Sequence, residues 1–189
     1  MFLSLICSTS SLIAAPETYK IDQIHSTVGF KIRHLVGRVT GRFGEVSGTI
    51  QIDPKHPETS SVTATIQAQS IDTANAKRDS HLKGADFFNV AEFQTIVFTS
   101  KKVNVVDKET ADVIGDLTLH GVVKEVTLRV QFLGKAKAPD GTIQTGWEAT
   151  TKIKRSEFGL TWNKLVEGTA VIGDDVDIDL QIESDLAKP

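Results

Sequence analysis

From Val176 to Glu183 the chain alternates without a slip: Val176, Ile178, Leu180 and Ile182 are apolar, while Asp177, Asp179, Gln181 and Glu183 are charged or polar. Side chains along a strand point to opposite faces in turn, so this stretch has one dry face and one wet face. Strands of a parallel sheet covered by helices on both sides are apolar on both faces, and that architecture is excluded. The sheet is antiparallel. The same period runs through Val28, Phe30 and Ile32, through Val46, Gly48, Ile50 and Ile52, and through Val62, Ala64, Ile66 and Ala68. It returns at Val113, Gly115, Leu117 and Leu119, at Val126, Leu128, Val130 and Phe132, and at Ile143, Trp147, Ala149 and Ile153. With Ile96 to Phe98 and Val103 to Val106 this makes about eight strands. Asp53-Pro54, His120-Gly121, Pro139-Asp140-Gly141 and Gly173-Asp174 supply turn chemistry between them. The glycine-bearing stretches Gly37 to Gly44 and Gly168 to Gly173 read as hairpin connections.

The alternation stops once, between Ile71 and Val90. There Ala74, Ala76, Arg78, Leu82 and Lys83 favour one short helix, with Asp72 or Thr73 as its cap. No repeat or Pro/Ser linker divides the chain, so residues 18–186 form one all-β domain. Eight antiparallel strands with one apolar face each can close into a barrel whose interior is either packed solid or just wide enough for one small ligand. Small inward residues, Gly48, Ala64, Ala68, Gly115 and Ala149, leave room beside Phe30, Phe98, Phe132 and Trp147. The same residues also suit a tapered, dry core, and periodicity does not choose between the two.

Composition narrows the functions. A net charge of −3 lacks the electrostatic footprint of a nucleic-acid binder. The single cysteine, Cys7, closes no disulfide and builds no thiolate cage. Residues 1–15 carry no charged side chain and end in Leu12 to Ala15, the pattern of a signal peptide cleaved after Ala14 or Ala15, although no Lys or Arg precedes the apolar run. The segment is too short for a membrane span, which needs about 20 apolar residues. The mature chain is then periplasmic or secreted, free of cysteine, and without an integral membrane segment.

The five histidines, His25, His34, His56, His81 and His120, show no metal-ligand spacing on the helix, so no metal or cofactor is expected. His34 shares the parity of Val28, Phe30 and Ile32 and faces a barrel mouth. Asp79, Ser80 and His81 invite comparison with a catalytic triad, but helix neighbours one residue apart point in different directions and no G-x-S-x-G elbow is present. The structural account is stronger: Arg78 bonds a carboxylate or strand-end carbonyls, and Leu82 seats the helix on one barrel end.

Asp22-x-x-His25-Ser26-x-Val28-x-Phe30-x-Ile32-x-His34, Gly41-x-Phe43 and Gly48-x-Ile50 resemble the opening of the YceI family, the lipocalin-like polyisoprenoid-binding proteins. Ser70-Ile71-Asp72-Thr73, Arg78-Asp79-x-His81-Leu82, Asp86-Phe87-Phe88 and Gly115-Asp116-Leu117-Thr118 continue the likeness, which ends at Arg155-x-x-Phe158-Gly159 and Gly173-Asp174-x-Val176. Leu160 to Val171 fits the pattern less clearly. The resemblance implies an extended eight-stranded antiparallel lipocalin-like barrel with one short helix and an apolar tunnel holding an isoprenoid lipid or isoprenoid quinone. The tunnel wall then comprises Val28, Phe30, Ile32, Ile66, Phe98, Leu117, Leu128, Val130, Phe132, Trp147, Ile178 and Leu180. His34, Arg78, His81 and Arg155 stand at its mouth as head-group partners. Binding, transport or storage needs no catalyst. Two other readings remain open: a lipid- or quinone-modifying enzyme using His81 with Asp79 or His34, and a dry-cored interaction module that pairs as a homodimer.

Overall fold

The computed structural model describes residues 16–166 and 168–188; the expected signal segment lies outside them. The strands are β1 (Glu17–His34), β2 (Gly37–Phe43), β3 (Val46–Ile52), β4 (Ser61–Gln67), β5 (Ile71–Asp72) and β6 (Thr95–Val105). They continue as β7 (Thr110–Leu119), β8 (Val122–Lys137), β9 (Ile143–Lys154), β10 (Leu165–Val166), β11 (Thr169–Ala170) and β12 (Ile172–Leu186), with the helix α1 at Ala76–Lys83.

Eight of these strands close a barrel in the order β12-β9-β8-β7-β6-β4-β3-β1, and β1 pairs back onto β12. Each of those pairings is antiparallel, as the single wet face requires. Closure comes from the length of β1, which meets β3 through Glu17 to Lys20 and β2 through Val28 to His34. Gly37 to Phe43 is therefore a strand, not the hairpin connection expected; the connection is the two-residue turn Leu35-Val36 between the paired His34 and Gly37. On the β12 side the register jumps between Asp22 and Thr27, so residues 23–26 form a bulge that leaves Ile24 86% exposed while Ser26 stays buried. His120 and Gly121 make the β7–β8 turn with φ of 52° and 74°, the type I′ geometry whose twist matches a hairpin.

The barrel has a helix end and a distal end. The helix end gathers α1, the β1–β2 and β7–β8 turns and the start of β12, while the distal end gathers the β6–β7 and β8–β9 turns and the start of β1. Asn75 caps α1 by accepting from the Arg78 N–H, which corrects the expected cap. Asp72 instead accepts from Ala74 N, and Thr73 bonds Asp79. Leu82 is the helix residue packed against the buried core, so the helix is seated by one apolar residue and not by an apolar stripe.

Two small residues do not leave room. A Cβ on Gly48 would lie 2.2 Å from the Thr63 carbonyl oxygen, and one on Gly115 would lie 2.5 Å from the Thr99 carbonyl oxygen and 2.6 Å from the Phe98 ring. These glycines permit close approach of neighbouring strands. Space inside the barrel arises elsewhere.

Candidate functional site

The barrel encloses two apolar compartments stacked along its axis. The helix-end compartment measures about 250 Å³ and is walled by Val28, Phe30 and Ile32 of β1, Ile66 of β4, Phe98 of β6, Leu117 of β7 and Ile178 of β12. The distal compartment measures about 820 Å³, between Val130 and Phe132 of β8, Trp147 and Ala149 of β9 and Val113 of β7. Leu128, Leu180 and Ile182 line both, so the two compartments meet at this belt, the waist of the barrel interior. Most wall residues stand at alternate positions of their strands, the parity that points to the axis; exceptions include Gly29 and Arg33 of β1 and Thr110 at the start of β7.

Aromatic rings shape both chambers. Phe132 and Trp147 pack with ring centroids 4.7 Å apart and planes tilted by 45° in the distal one, where the indole N–H donates to Thr145 Oγ1 at 3.0 Å and Thr145 shares a 2.7 Å hydrogen bond with buried Ser184. These polar groups are thus satisfied inside an apolar wall. At the helix end Phe43 lies 5.8 Å from Phe30 and 5.6 Å from Phe88. Phe88 follows α1 outside any strand period, and sequence periodicity did not mark it as wall.

The two rims differ in charge. At the distal rim Glu17 accepts from Lys135 at 2.8 Å and from the Tyr19 hydroxyl at 2.6 Å. The Lys135 and Tyr19 hydrogen bonds lower the Glu17 pKa against burial, while burial first and Glu17 second raise that of Tyr19. Asp53, Asp107 and Glu109 add further carboxylates there. The helix-end wall instead includes Arg33, His34, Arg78 and Arg155. Two of these guanidiniums are spent on the fold. Arg78 donates to Thr73 Oγ1 and to the Thr73 carbonyl, both at 2.7 Å. Arg155 is buried and donates to the carbonyls of Gly173 (2.8 Å), Trp162 (2.9 Å) and Leu160. Burial lowers the Arg155 pKa, opposed by the charge of Asp174.

The wall residues read from the sequence all line a chamber. Val28, Phe30, Ile32, His34, Ile66, Arg78, Phe98, Leu117, Arg155 and Ile178 lie at the helix end, Val130, Phe132 and Trp147 at the distal end, and Leu128 with Leu180 at the waist. His81 is not among the lining residues. Its Nε2 meets Asp86 Oδ2 at 2.9 Å, and its ring stands edge-on to Phe87 and Trp162, each at 5.0 Å, so it braces the helix from outside. Asp79 accepts from both the Thr73 N–H and the Thr73 hydroxyl. Asp79 and His81 are thus bonded to different partners, Thr73 and Asp86.

Asp22, His25 and Glu183 have ligand-type atoms within 4.8 Å of one another beside the β1 bulge. Asp22 accepts from His25 at 2.5 Å. This bond, with the charges of Asp22, Glu183 and Asp185, raises the His25 pKa; burial raises that of Asp22, but the bonds from His25 and Ile24 outweigh it and the net shift is downward.

A closed antiparallel barrel with an apolar axial channel and one end braced by a helix is a lipocalin-like architecture. Residues 19–184 match the YceI-like domain, and the chain belongs to the YceI family. Protein YceI of Salmonella agona is 42% identical over 163 residues, covering 85% of this chain and 84% of the relative. The crystal structure of the Campylobacter jejuni YCEI protein is 34% identical, superposes with a TM-score of 0.72, and covers 88% of this chain and 96% of its own. A polyisoprenoid binding domain from Saccharophagus degradans, implicated in plant cell wall breakdown, shares the fold with a TM-score of 0.66 at 20% identity, covering 89% of this chain and 98% of its own.

Proposed function

We propose that this protein is a non-catalytic carrier that binds one long-chain isoprenoid lipid or isoprenoid quinone along the barrel axis, in the periplasm or outside the cell. The observation that carries this reading is the pair of apolar chambers meeting at Leu128, Leu180 and Ile182. Taking a methylene as about the size of a water molecule, which occupies about 30 Å³ in the liquid, the helix-end chamber of about 250 Å³ holds about 8 such groups and the distal chamber of about 820 Å³ about 27. Each buried group contributes about 0.8 kcal/mol, so a chain filling both chambers binds tightly after ordering costs of several kcal/mol. The polar head group stays at a rim, because burial without partners costs a few kcal/mol. Family membership and the ligand class named for the Saccharophagus degradans domain support this reading.

The non-catalytic part is supported by the commitment of Asp79 to Thr73 and of His81 to Asp86. Export is supported by the uncharged apolar segment of residues 1–15. Among the described residues no helix is long and apolar enough to cross a membrane.

Native mass spectrometry of freshly purified protein tests the reading. The expected spectrum shows a one-to-one complex that releases an isoprenoid on denaturation. A ligand that binds only the folded state raises the thermal midpoint. No co-purifying lipid, together with no midpoint shift on adding geranylgeraniol, overturns it.

A further inference from the structure

The barrel closes where its first strand meets its last, and the ladder across that seam is interrupted. Asp22 pairs with Glu183, and pairing resumes only at Thr27 with Gln181, so residues 23–26 of β1 face the single Ile182 of β12. A bulge re-aims side chains, and this one brings three donors together. A ligand-type atom of Asp22, His25 and Glu183, ring nitrogen or carboxylate oxygen, lies within 4.8 Å of the other two. His25 Nδ1 stands 2.5 Å from Asp22 Oδ2. Ile182 lines the tunnel, so its neighbour Glu183 points to the outer face of the seam.

Each donor is oriented from behind. Ile24 N–H donates to Asp22 Oδ1 at 2.8 Å, which leaves Oδ2 for the cluster. The buried Ser26 hydroxyl grips the Glu183 backbone, donating to its carbonyl at 3.2 Å and accepting from its N–H at 3.1 Å. Outer contacts of this kind fix the ligands of metal sites. The Asp22–His25 bond accounts for one carboxylate only. Among the described residues the Glu183 carboxylate has no hydrogen-bond or ion-pair partner, although a second carboxylate lies beside it. Two carboxylates this close repel, and one imidazolium balances only one of them. A divalent cation balances both.

We propose that Asp22, His25 and Glu183 bind one Zn²⁺ ion, which clasps β1 to β12 across the interrupted ladder. One nitrogen and two carboxylate donors suit zinc, whereas calcium and magnesium take oxygen donors. Tetrahedral ligands at about 2.0–2.2 Å stand about 3.4 Å from each other. Asp22 and His25 therefore part by about 1 Å, Glu183 rotates inward, and water takes the fourth position. The His25 side chain is 59% exposed, so the ion arrives from solvent. Because the site is on the outer face, it stands apart from whatever the tunnel carries. Histidine spacing along the chain cannot register it, since the third donor arrives from the last strand.

The test uses the full mature chain without an affinity tag, stripped by a chelator, with zinc chloride as the probe. Calorimetry reads stoichiometry and affinity, thermal unfolding reads the clasp, and NMR of the histidine rings reads the place. The expected result is one zinc per chain and a thermal midpoint that rises with zinc but not with calcium or magnesium. The ring resonances of His25 move, while those of His34, His56, His81 and His120 stay. Affinity falls about tenfold or more in His25→Ala and in Glu183→Gln, and it is unchanged in His56→Ala, which removes the exposed His56–Glu58 pair. Glu183→Gln keeps the backbone bonds to Ser26 and the Asp22–His25 bond, so a folded variant that loses zinc separates coordination from folding. Zinc that binds the His25 and Glu183 variants as it binds the wild type, that moves the other histidines instead, or that leaves the wild-type midpoint in place overturns the proposal.

Discussion

Replacing Leu180 by tryptophan is the sharpest perturbation of the tunnel. Leu180 pairs with Val28 on one side and Ala149 on the other, and it lines both chambers. An indole there closes the waist and confines a ligand to the distal chamber of about 820 Å³. The helix-end chamber of about 250 Å³ is then lost to the chain. That is about 8 methylene-sized groups at about 0.8 kcal/mol each, a gross loss of about 6 kcal/mol. Roughly half returns because the excluded segment is no longer ordered. The net loss of about 3 kcal/mol corresponds to about 100-fold weaker binding of a long chain. A ten-carbon prenyl alcohol, which fits the distal chamber alone, changes by only a few-fold. The assay is displacement of an environment-sensitive fluorescent fatty probe by prenyl alcohols of increasing length. Urea titration in parallel covers an overpacking cost of about 1–3 kcal/mol. If affinity climbs with chain length as steeply in the variant as in the wild type, the two chambers do not hold one continuous ligand and the reasoning fails.

Arg155→Met leaves the carbonyls of Gly173, Leu160 and Trp162 without their donor, and the expected loss is about 3–5 kcal/mol in urea unfolding; an unchanged midpoint contradicts a structural role for the guanidinium. Gly115→Ala forces a Cβ against the Thr99 carbonyl and Phe98 and lowers stability by about 1–3 kcal/mol. Gly146→Ala meets only Leu133 at 3.5 Å and is neutral or stabilising by about 0.5 kcal/mol, so similar melting of the two variants refutes the close-approach account. The Asp22–His25 pair acts within a pH window. The raised His25 pKa stabilises the fold below the ordinary histidine value of about 6.5 and is lost as pH rises through the folded value. The lowered Asp22 pKa stabilises above the ordinary aspartate value of about 3.9 and is lost as pH falls through the folded one. Proton NMR of the His25 ring therefore reads a midpoint above 6.5 that drops in Asp22→Asn, and an unmoved midpoint removes the pairing.

Strand identity was legible wherever one face is wet. The alternation from Val176 to Glu183 places Ile178 and Leu180 on the wall, and the same parity places Val28, Phe30 and Ile32 opposite them in β1. His81 lay beyond that method. On a helix of eight residues with one apolar anchor, no period says which side faces the barrel, and the contacts of Asp86, Phe87 and Trp162 decide it. Gly37 to Phe43 misled for a related reason: its glycines resemble turn residues, yet long-range pairing with β1 makes it a strand.

Local chemistry alone determined that this chain makes antiparallel strands, which side of each faces inward, and where a short helix interrupts them, because pleat and helix periods are properties of neighbouring residues. Tertiary structure decided whether the inside is full or hollow. That outcome depends on how closely neighbouring strands approach at Gly48 and Gly115, and on how far side chains from opposite walls reach across the axis. The spacing between opposite walls is set by closure of β1 on β12, a contact between the two ends of the chain that no local pattern records.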